Sequence, residues 1–336
     1  MGGNLCNIFN KNVKRILRAA AAVIILVIVS CAAGCGAAQK NSDGAEKLKI
    51  VTTIFPQYDF ARAIAGDSGL CDITMLITPG AESHSFQPSV SDMLKIEQCD
   101  ILICAGGDID SWVQREIMPS IDMSGKTVLY MKDMVEGILC APESNHGHSG
   151  DDEDHDEHEA GTDDHVWTSL ANAKTIVENI CDAMCSADGK NEALYLKNAE
   201  AYINQLGELD REFKNMFDGA TRKTIVVGDR FPFVYFAEEY GLAYKAAFSG
   251  CSSSSEPALS TINELVNVVN ENHIPVVFCI EFSDGKTADA ICKATGARRL
   301  VLHSCHNVSK EDFENGITYI ELMRQNFDNI TEAVYE

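Results

Sequence analysis

The chain has 336 residues, of which 46% are apolar, so it is long enough to form two domains with filled cores. This composition excludes an intrinsically disordered protein. Acidic residues number 50 against 27 basic residues, and the resulting formal charge of −23 opposes binding to nucleic acid or anionic lipid and concentrates cations near the surface.

The first 35 residues have the features of a bacterial export signal. Four basic residues precede an apolar run over residues 19–29, and small residues at 32–34 precede Cys35. This order is typical of a secretory signal peptide over residues 1–34. The small residues before Cys35 also resemble a lipobox, in which that cysteine is lipidated and becomes the first residue of the mature protein. The alternative is an uncleaved anchor helix, although the apolar run is shorter than the ~20 residues that usually span a bilayer.

Either alternative predicts a protein anchored to the outer face of the cell membrane, with its folded part outside the cytoplasm. Residues 35–46 are polar and turn-rich, which is typical of a flexible tether. Exported proteins ordinarily pair their cysteines. Cys104, Cys279 and Cys292, however, lie inside apolar strand or helix patterns, where a free cysteine acts as a small core residue. We therefore predict mostly reduced thiols.

Strands alternate with helices along the rest of the chain, which indicates parallel sheets covered on both faces. We predict an α/β fold with two (β/α) lobes, the first over residues 47–187 and the second over 221–336. In the first lobe the predicted order is strand 47–53, helix 56–65, strand 71–77, helix 89–98, and strands 101–105 and 127–131. In the second it is strand 224–227, helix 234–240, strand 243–248, helix 258–272, strand 275–280, helix 287–295, strand 299–302 and helix 313–334.

A long helix is predicted between the lobes, within residues 188–220. Apolar residues recur every three or four positions over 191–218, which is the pattern of one helical face, and Gly207 is the only internal helix breaker. At about 1.5 Å per residue this segment makes a rod of roughly 40 Å. Such a rigid backbone helix favours small movements of the lobes over wide hinge closure.

Five polar side chains follow predicted strands at the edge where α/β sheets bind ligands. They are His84, His165, Asp229, Glu281 and His303. Imidazole nitrogens with carboxylate oxygens are a donor set that suits a divalent transition metal, and three imidazoles favour zinc.

Each histidine has a plainer interpretation. In this interpretation His84, which lies in a turn with Pro and Gly, is an exposed loop residue. His165 is the last member of the acidic run. His303 is then a packed residue at a strand end or a partner of His306.

Several segments together resemble the zinc and manganese solute-binding lipoproteins of bacterial ABC importers (cluster 9, class A-I). They are "IVTTIFPQYDFARAIAG", "ITPGAESHSFQPSVSDM", "DDHVWTSLANAKTIVENI", "YFAEEYGL" and "AAFSGCSSSSEPALSTINELV". The resemblance covers nearly everything after residue 47. It implies two lobes joined by a long helix, one metal ion in the cleft between them, and an ABC permease and ATPase as partners.

The resemblance also implies a ligand set, from which this sequence departs at two places. The first two ligands fall on His84 and His165. The third is usually His or Glu after the first strand of the second lobe, where this chain offers Asp229, so that either Asp229 substitutes or the ligand is lost. The fourth is commonly Asp, where this chain has His303. Glu281 aligns with an acid near the floor of the cleft, which we expect to orient an imidazole rather than to bind the metal.

The segment over residues 143–164 is rich in histidine and acid. Ten acidic residues accompany His146, His148, His155 and His158, and the near absence of apolar side chains predicts a disordered loop. In the zinc branch of the resembling family such a loop lies beside the cleft, which implies a low-affinity collector of zinc. The alternative is an inert solvated loop.

We therefore predict a monomeric, extracytoplasmic zinc-binding protein that delivers the ion to an ABC importer and performs no chemical step. Manganese is the competing ion, because carboxylate ligands would favour it. A zinc hydrolase is the alternative of a different class, since three protein ligands with an open position also describe catalytic zinc. A surface metal buffer or adhesin without a transport partner is a third.

Overall fold

The computed structural model describes residues 46–83, 86–140, 162–248 and 257–335. Residues 47–336 form one compact unit. Several predicted features lie outside the described residues: the signal peptide, the lipid anchor Cys35, most of the tether, the ligand His84, and the four histidines of the acidic loop, His146, His148, His155 and His158.

The first lobe is built on a sheet of four parallel strands. The strands are β1 (Leu48–Thr52), β2 (Cys71–Met75), β3 (Ile101–Cys104) and β4 (Thr127–Tyr130), in the order β2-β1-β3-β4, with helices α1 (Phe55–Ala65) and α2 (Val90–Gln98). All four residues of β3 are buried. Burial on both faces is what a parallel sheet covered by helices requires, so it explains the continuous apolar run at this strand.

Two helices connect the lobes. The first, α3, spans Leu170–Ala187, and the second, α4, spans Glu192–Gly219 and packs along α3. The 28 residues of α4 give a length of roughly 42 Å. The predicted long helix is therefore confirmed, and it continues through Gly207 because the buried face between Tyr195 and Phe217 outweighs the ~1 kcal/mol cost of one glycine.

The second lobe repeats the architecture of the first. Its strands are β5 (Thr224–Val227), β6 (Ala243–Ala246), β7 (Val276–Cys279) and β8 (Arg298–Val301), in the parallel order β6-β5-β7-β8, with helices α5 (Val234–Tyr240), α6 (Leu259–Glu271) and α7 (Lys286–Thr295). The two sheets have the same strand order along the chain. The predicted fold of two (β/α) lobes with parallel sheets is thus confirmed.

The C-terminal region differs from the prediction of one helix over residues 313–334. It forms a short helix α8 (Lys310–Glu314) and a separate helix α9 (Tyr319–Tyr335). Gly316 has a φ of +77°, a left-handed conformation that ends a helix. Thr318 then begins α9: its hydroxyl accepts from the backbone N–H of Glu321, and the Glu321 carboxylate accepts from the backbone N–H of Thr318. The predicted continuity was wrong because these local signals end one helix and start another.

A buried carboxylate joins both lobes to the connecting helix. Asp59 on α1 accepts a hydrogen bond from the Tyr202 hydroxyl on α4 at 2.8 Å and from the Tyr319 backbone N–H on α9 at 2.9 Å. It also pairs with Arg62. Burial raises the pKa of the Asp59 carboxyl even though the Arg62 charge acts against that rise. The three elements are therefore fixed to one another at a single point.

One hydrophobic core runs through both lobes. It includes side chains from one face of each sheet and the buried face of α4, while two smaller clusters lie under the outer helices of the two sheets. Shared burial of this kind resists separation of the lobes. Among the described residues, no helix is both long enough and apolar enough to cross a membrane.

Candidate metal site

A small cavity lies where loops from the two lobes meet. Its walls come from the loops that follow β2, β5, β7 and β8, which places it at the carboxyl ends of parallel strands, where α/β sheets bind ligands. Its volume is about 30 Å³, enough for an ion or one or two waters. The lining residues are Ala81, Glu82, Ser83, Arg230, Ile280, Glu281, Phe282, Ser304, His306 and Asn307.

His165 is held in one orientation by Asp163. The imidazole is buried, its Nδ1 lies 2.9 Å from Asp163 Oδ1, and the same oxygen accepts the His165 backbone N–H at 2.8 Å. A carboxylate only accepts hydrogen bonds, so Nδ1 carries the proton and Nε2 carries the lone pair of the neutral ring. A carboxylate that orients a histidine in this way is typical of metal sites.

The charge of Asp163 is stabilised by the histidine that it orients. Burial raises the pKa of this carboxyl, but the His165 imidazole and the hydrogen bonds from His165 together lower the pKa by a larger amount. The pKa of Asp163 therefore lies below its ordinary value. The Tyr235 hydroxyl donates to the Asp163 carbonyl at 2.9 Å, and burial raises the pKa of Tyr235 to about 12. Asp163 therefore stays ionised, and Tyr235 stays protonated, at neutral pH.

His306 from the second lobe packs against His165 from the first. Their ring centroids are 4.7 Å apart with an interplanar angle of 87°, and Trp167 lies 5.2 Å from each ring. A metal bound at Nε2 at ~2.0–2.1 Å would lie roughly 3.2 Å from a ring centroid. The ring separation of 4.7 Å is less than twice that distance, which is the upper limit for two imidazoles that share one ion.

His303 is arranged differently from His306. Its Nδ1 accepts the backbone N–H of Cys305 at 2.9 Å, and its own backbone N–H and C=O bond to the Asn326 side chain. In a neutral ring with Nδ1 as acceptor, the proton is on Nε2, and that nitrogen then has no lone pair for a metal. The geometry therefore favours the plainer interpretation of His303 as a packed residue at a strand end.

Glu281 lines the cavity beside the loop that carries His306. Its carboxylate accepts the backbone N–H of Ser304 at 2.8 Å and also the Ser304 hydroxyl. One of its oxygens lies 3.8 Å from His303 Nδ1, which is too far for a hydrogen bond. Glu281 thus holds the loop after β8 and leaves a carboxylate at the cavity wall.

At the loop after β5, Arg230 lines the cavity and Asp229 does not. Asp229 is buried, and its Oδ1 accepts the backbone N–H of Arg230 at 2.8 Å. The Arg230 guanidinium lies 3.5 Å from the Glu82 carboxylate of the first lobe. The cavity therefore has a cationic side chain at the position where the sequence predicted the Asp229 ligand.

The segment that carries His165 is supported by a second acidic residue. Asp164 accepts the backbone N–H of Asp108 at 2.6 Å and pairs with Lys132 at 2.8 Å. A Cβ at Gly107, whose φ is +81°, would lie 2.0 Å from an Asp164 oxygen. Only glycine fits at 107, so this position is required for Asp164, and through it for the placement of His165.

The acidic loop begins and ends next to this support. Cys140 and Thr162 form an isolated antiparallel bridge, and the Asp163 backbone N–H donates to Leu139 O at 2.8 Å. Residues 141–161 lie outside the described part of the chain. Since the two ends of the loop are bridged, a change in the length of the loop does not move His165.

Within the described residues, no group of three or more His, Cys, Asp or Glu side chains is arranged to hold a metal ion. The predicted ligand His84 is outside that part of the chain, but the two residues before it, Glu82 and Ser83, line the cavity.

Comparison with known proteins identifies the family. The family described as zinc-uptake complex component A, periplasmic (ZnuA), matches residues 50–333. The chain belongs to the ZnuA family. This family consists of a periplasmic component of an uptake complex, so its members are solute-binding proteins, and the expectation of a transporter component is confirmed at that level.

Individual relatives agree with the family. The chain is 29% identical over 314 residues to the high-affinity zinc uptake system protein ZnuA of Bacillus subtilis, which covers 93% of this chain and 95% of the relative. It is 31% identical over 323 residues to the zinc-binding lipoprotein AdcA of Streptococcus pneumoniae, where it spans only 61% of the relative. The Zn(II)-bound ZnuA-like domain of that AdcA superposes with a TM-score of 0.69 at 27% identity, covering 87% of this chain and all of the domain.

Three residues of the cavity and its surroundings were missed by reasoning from the sequence: His306, Arg230 and Asp163. His306 was considered only as a partner of His303. The strand-end rule favours the first polar residue after a strand, whereas His306 comes five residues after β8 and reaches the cavity through a loop. Asp163 had a signal that was available, because a carboxylate two residues before a metal-binding histidine is placed to bond its ring.

Proposed function

We propose that this protein binds zinc outside the cytoplasm and delivers it to the permease and ATPase of an ABC importer. The observation that carries the proposal is the contact between imidazoles from opposite lobes, His165 and His306, of which His306 lines the cavity. Membership of the ZnuA family and the zinc named in its relatives support the ion.

The ligand set that we propose is His84, His165 and His306, with Glu281 as a nearby carboxylate. His306 takes the place of His303 because only the former combines contact with His165 and a place in the cavity wall. Asp229 is not included, because its carboxylate bonds the following backbone N–H. Three neutral imidazoles favour zinc over manganese, which prefers oxygen donors.

A zinc titration of the full-length chain in detergent, with a competing chelator, tests the function. We expect one tight site per chain, zinc bound more tightly than manganese, and loss of tight binding in His165→Ala. The matched control is His273→Ala, which removes an exposed histidine after α6. Manganese binding that equals or exceeds zinc binding would overturn the choice of ion. Unchanged zinc affinity in His165→Ala would overturn the site.

The location of the protein and its partners are part of the same proposal. A lipid on Cys35 holds the monomeric protein at the outer face of the membrane, and Cys35→Ser should abolish incorporation of labelled fatty acid. The proposed function requires no chemical step. The hydrolase alternative predicts zinc-dependent ester or peptide cleavage that disappears in His165→Ala. Permease and ATPase genes beside this gene would distinguish a transport component from a surface metal buffer.

The acidic loop is proposed as the low-affinity collector. Its histidines His146, His148, His155 and His158 would hold zinc loosely near the mouth of the cleft and raise its local concentration. The acidic surroundings attract cations without fixing a geometry, so only weak binding follows.

A further inference from the structure

We propose that Asn307 is a positioning residue of the zinc site: it clamps the first-lobe turn over residues 78–81 onto the second-lobe loop that carries His306. This inference rests on the proposed zinc-binding function. Asn307 is 2% exposed and lines the cavity. It follows His306 directly in the sequence, so the same short loop supplies a ligand and the clamp.

The side-chain amide of Asn307 makes three hydrogen bonds, two of which cross the boundary between the lobes. Its Nδ2 donates to Thr78 O at 2.8 Å and to Ala81 O at 2.9 Å, and its Oδ1 accepts the Val308 backbone N–H at 2.9 Å. Both amide protons of Asn307 are therefore satisfied by the first lobe. Loss of this amide would remove two hydrogen bonds that join the lobes.

A backbone hydrogen bond supports the same contact. The Gly80 N–H donates to Val308 O at 2.8 Å, and Ala81 N–H closes the turn on Thr78 O at 3.0 Å. The turn over residues 78–81 is thus bonded to the second lobe at three points. On the other side of the loop, the Phe55 N–H donates to His306 O at 3.2 Å. The loop after β8 is therefore tied to the first lobe on both sides of His306.

The position of this turn matters because Ala81 lines the cavity together with His306. A shift of the turn away from the second lobe therefore opens the cavity wall beside the proposed ligand His306. Groups that orient metal ligands typically contribute 10–100-fold to metal affinity.

Asn307→Asp gives the sharpest test. The replacement keeps the shape and the acceptor for the Val308 N–H but removes both donors and turns a carboxylate toward two carbonyl oxygens. If charge near the metal were the main effect, the added negative charge would tighten zinc binding. If positioning is the main effect, zinc binding weakens. The two explanations therefore predict changes of opposite sign.

We expect Asn307→Asp and Asn307→Ala each to weaken zinc binding by 10–100-fold in the full-length chain, with the unloaded Tm lowered no more than in Asn198→Ala. Asn198 is the matched control, since its Nδ2 donates to Ile64 O at 3.0 Å and thereby joins α4 to α1. The visible absorption of bound Co²⁺, which depends on coordination geometry, should change in the Asn307 variants and not in the control.

Hydrogen exchange covers the case in which a variant folds poorly. In the unmodified protein the Gly80 amide should be protected, and in Asn307→Asp it should exchange faster while amides of β1 keep their protection. Unchanged or tighter zinc binding in Asn307→Asp, or an unchanged Co²⁺ spectrum, would overturn the positioning role alone. A failure of the unmodified protein to bind zinc would overturn the proposed function and, with it, this inference.

Discussion

His165 Nδ1 lies 2.9 Å from Asp163 Oδ1, and on its other side the ring of His165 meets the ring of His306 edge to face at 4.7 Å. Asp163 and His165 belong to the segment after the acidic loop, whereas His306 belongs to the loop after β8. The carboxylate fixes the proton on one nitrogen, so the remaining nitrogen has the form that a metal requires. The pair thus joins the two lobes at the proposed zinc site.

Replacing His306 should be far more damaging than replacing His303. His306→Ala removes a donor that contacts His165, and we expect zinc affinity to fall at least ~100-fold, because ligand loss exceeds the 10–100-fold effect of an outer residue. His303→Ala should change affinity less than about threefold, since His303 bonds the backbone of its own loop. Competition titration measures both. The reverse order would restore His303 as the fourth ligand.

Removing the acidic loop should leave the tight site intact. Residues 142–160 replaced by a short Gly-Ser linker preserve the Cys140–Thr162 bridge, so His165 keeps its support. We expect the tight dissociation constant to change less than about twofold, while the number of weakly bound zinc ions falls. Isothermal titration separates the two classes of site. A loss of tight binding would mean that the loop is the site rather than the collector.

Removing the charge of Arg230 should tighten zinc binding. The guanidinium in the cavity wall repels a divalent cation and competes with that cation for the Glu82 carboxylate. Arg230→Gln therefore removes an unfavourable interaction on the order of 1 kcal/mol after solvent screening, which is about fivefold in zinc affinity. Arg211→Gln on the exposed side of α4 is the control with the same change in charge. Weaker binding in Arg230→Gln would instead indicate that Arg230 holds Glu82 and its turn in place.

The free energy of unfolding should depend on the charge of Asp210. Burial raises the pKa of this carboxyl, but hydrogen bonds from Lys214 and Lys174 together lower the pKa by a larger amount. The pKa therefore lies below its ordinary value in the folded state. A lowered folded-state pKa contributes stability that is present above the unfolded value near 3.8 and is lost as pH falls through the folded value.

Asp210→Asn should therefore cost about 2 kcal/mol at pH 7 and progressively less below about pH 4. Urea unfolding of the zinc-free protein at several pH values measures the difference. The Tyr240 hydroxyl also bonds to Asp210, at 3.1 Å, and an amide oxygen preserves that contact. A difference that stays constant from pH 7 to pH 3 would show that the charge of Asp210 is not what stabilises the fold.

Most of the fold of this protein was predicted from its amino-acid sequence. Apolar runs at β3 and β7 predicted parallel strands because such strands are buried on both faces, and the three- to four-residue spacing of apolar side chains predicted α4. The end of the last predicted helix was less accurate, since Gly316 and the Thr318–Glu321 cap act locally within one apolar pattern.

The proposed choice among the histidines rests on the tertiary structure alone. His303 and His306 are three residues apart, and no property of composition or spacing separates them. The path of the loop after β8 turns the ring of His303 toward the Cys305 backbone and the ring of His306 toward His165. The same holds for Asp229 and Arg230. Periodicity fixes the strands because it depends on near neighbours, whereas the direction of a loop side chain depends on contacts with residues distant in the chain.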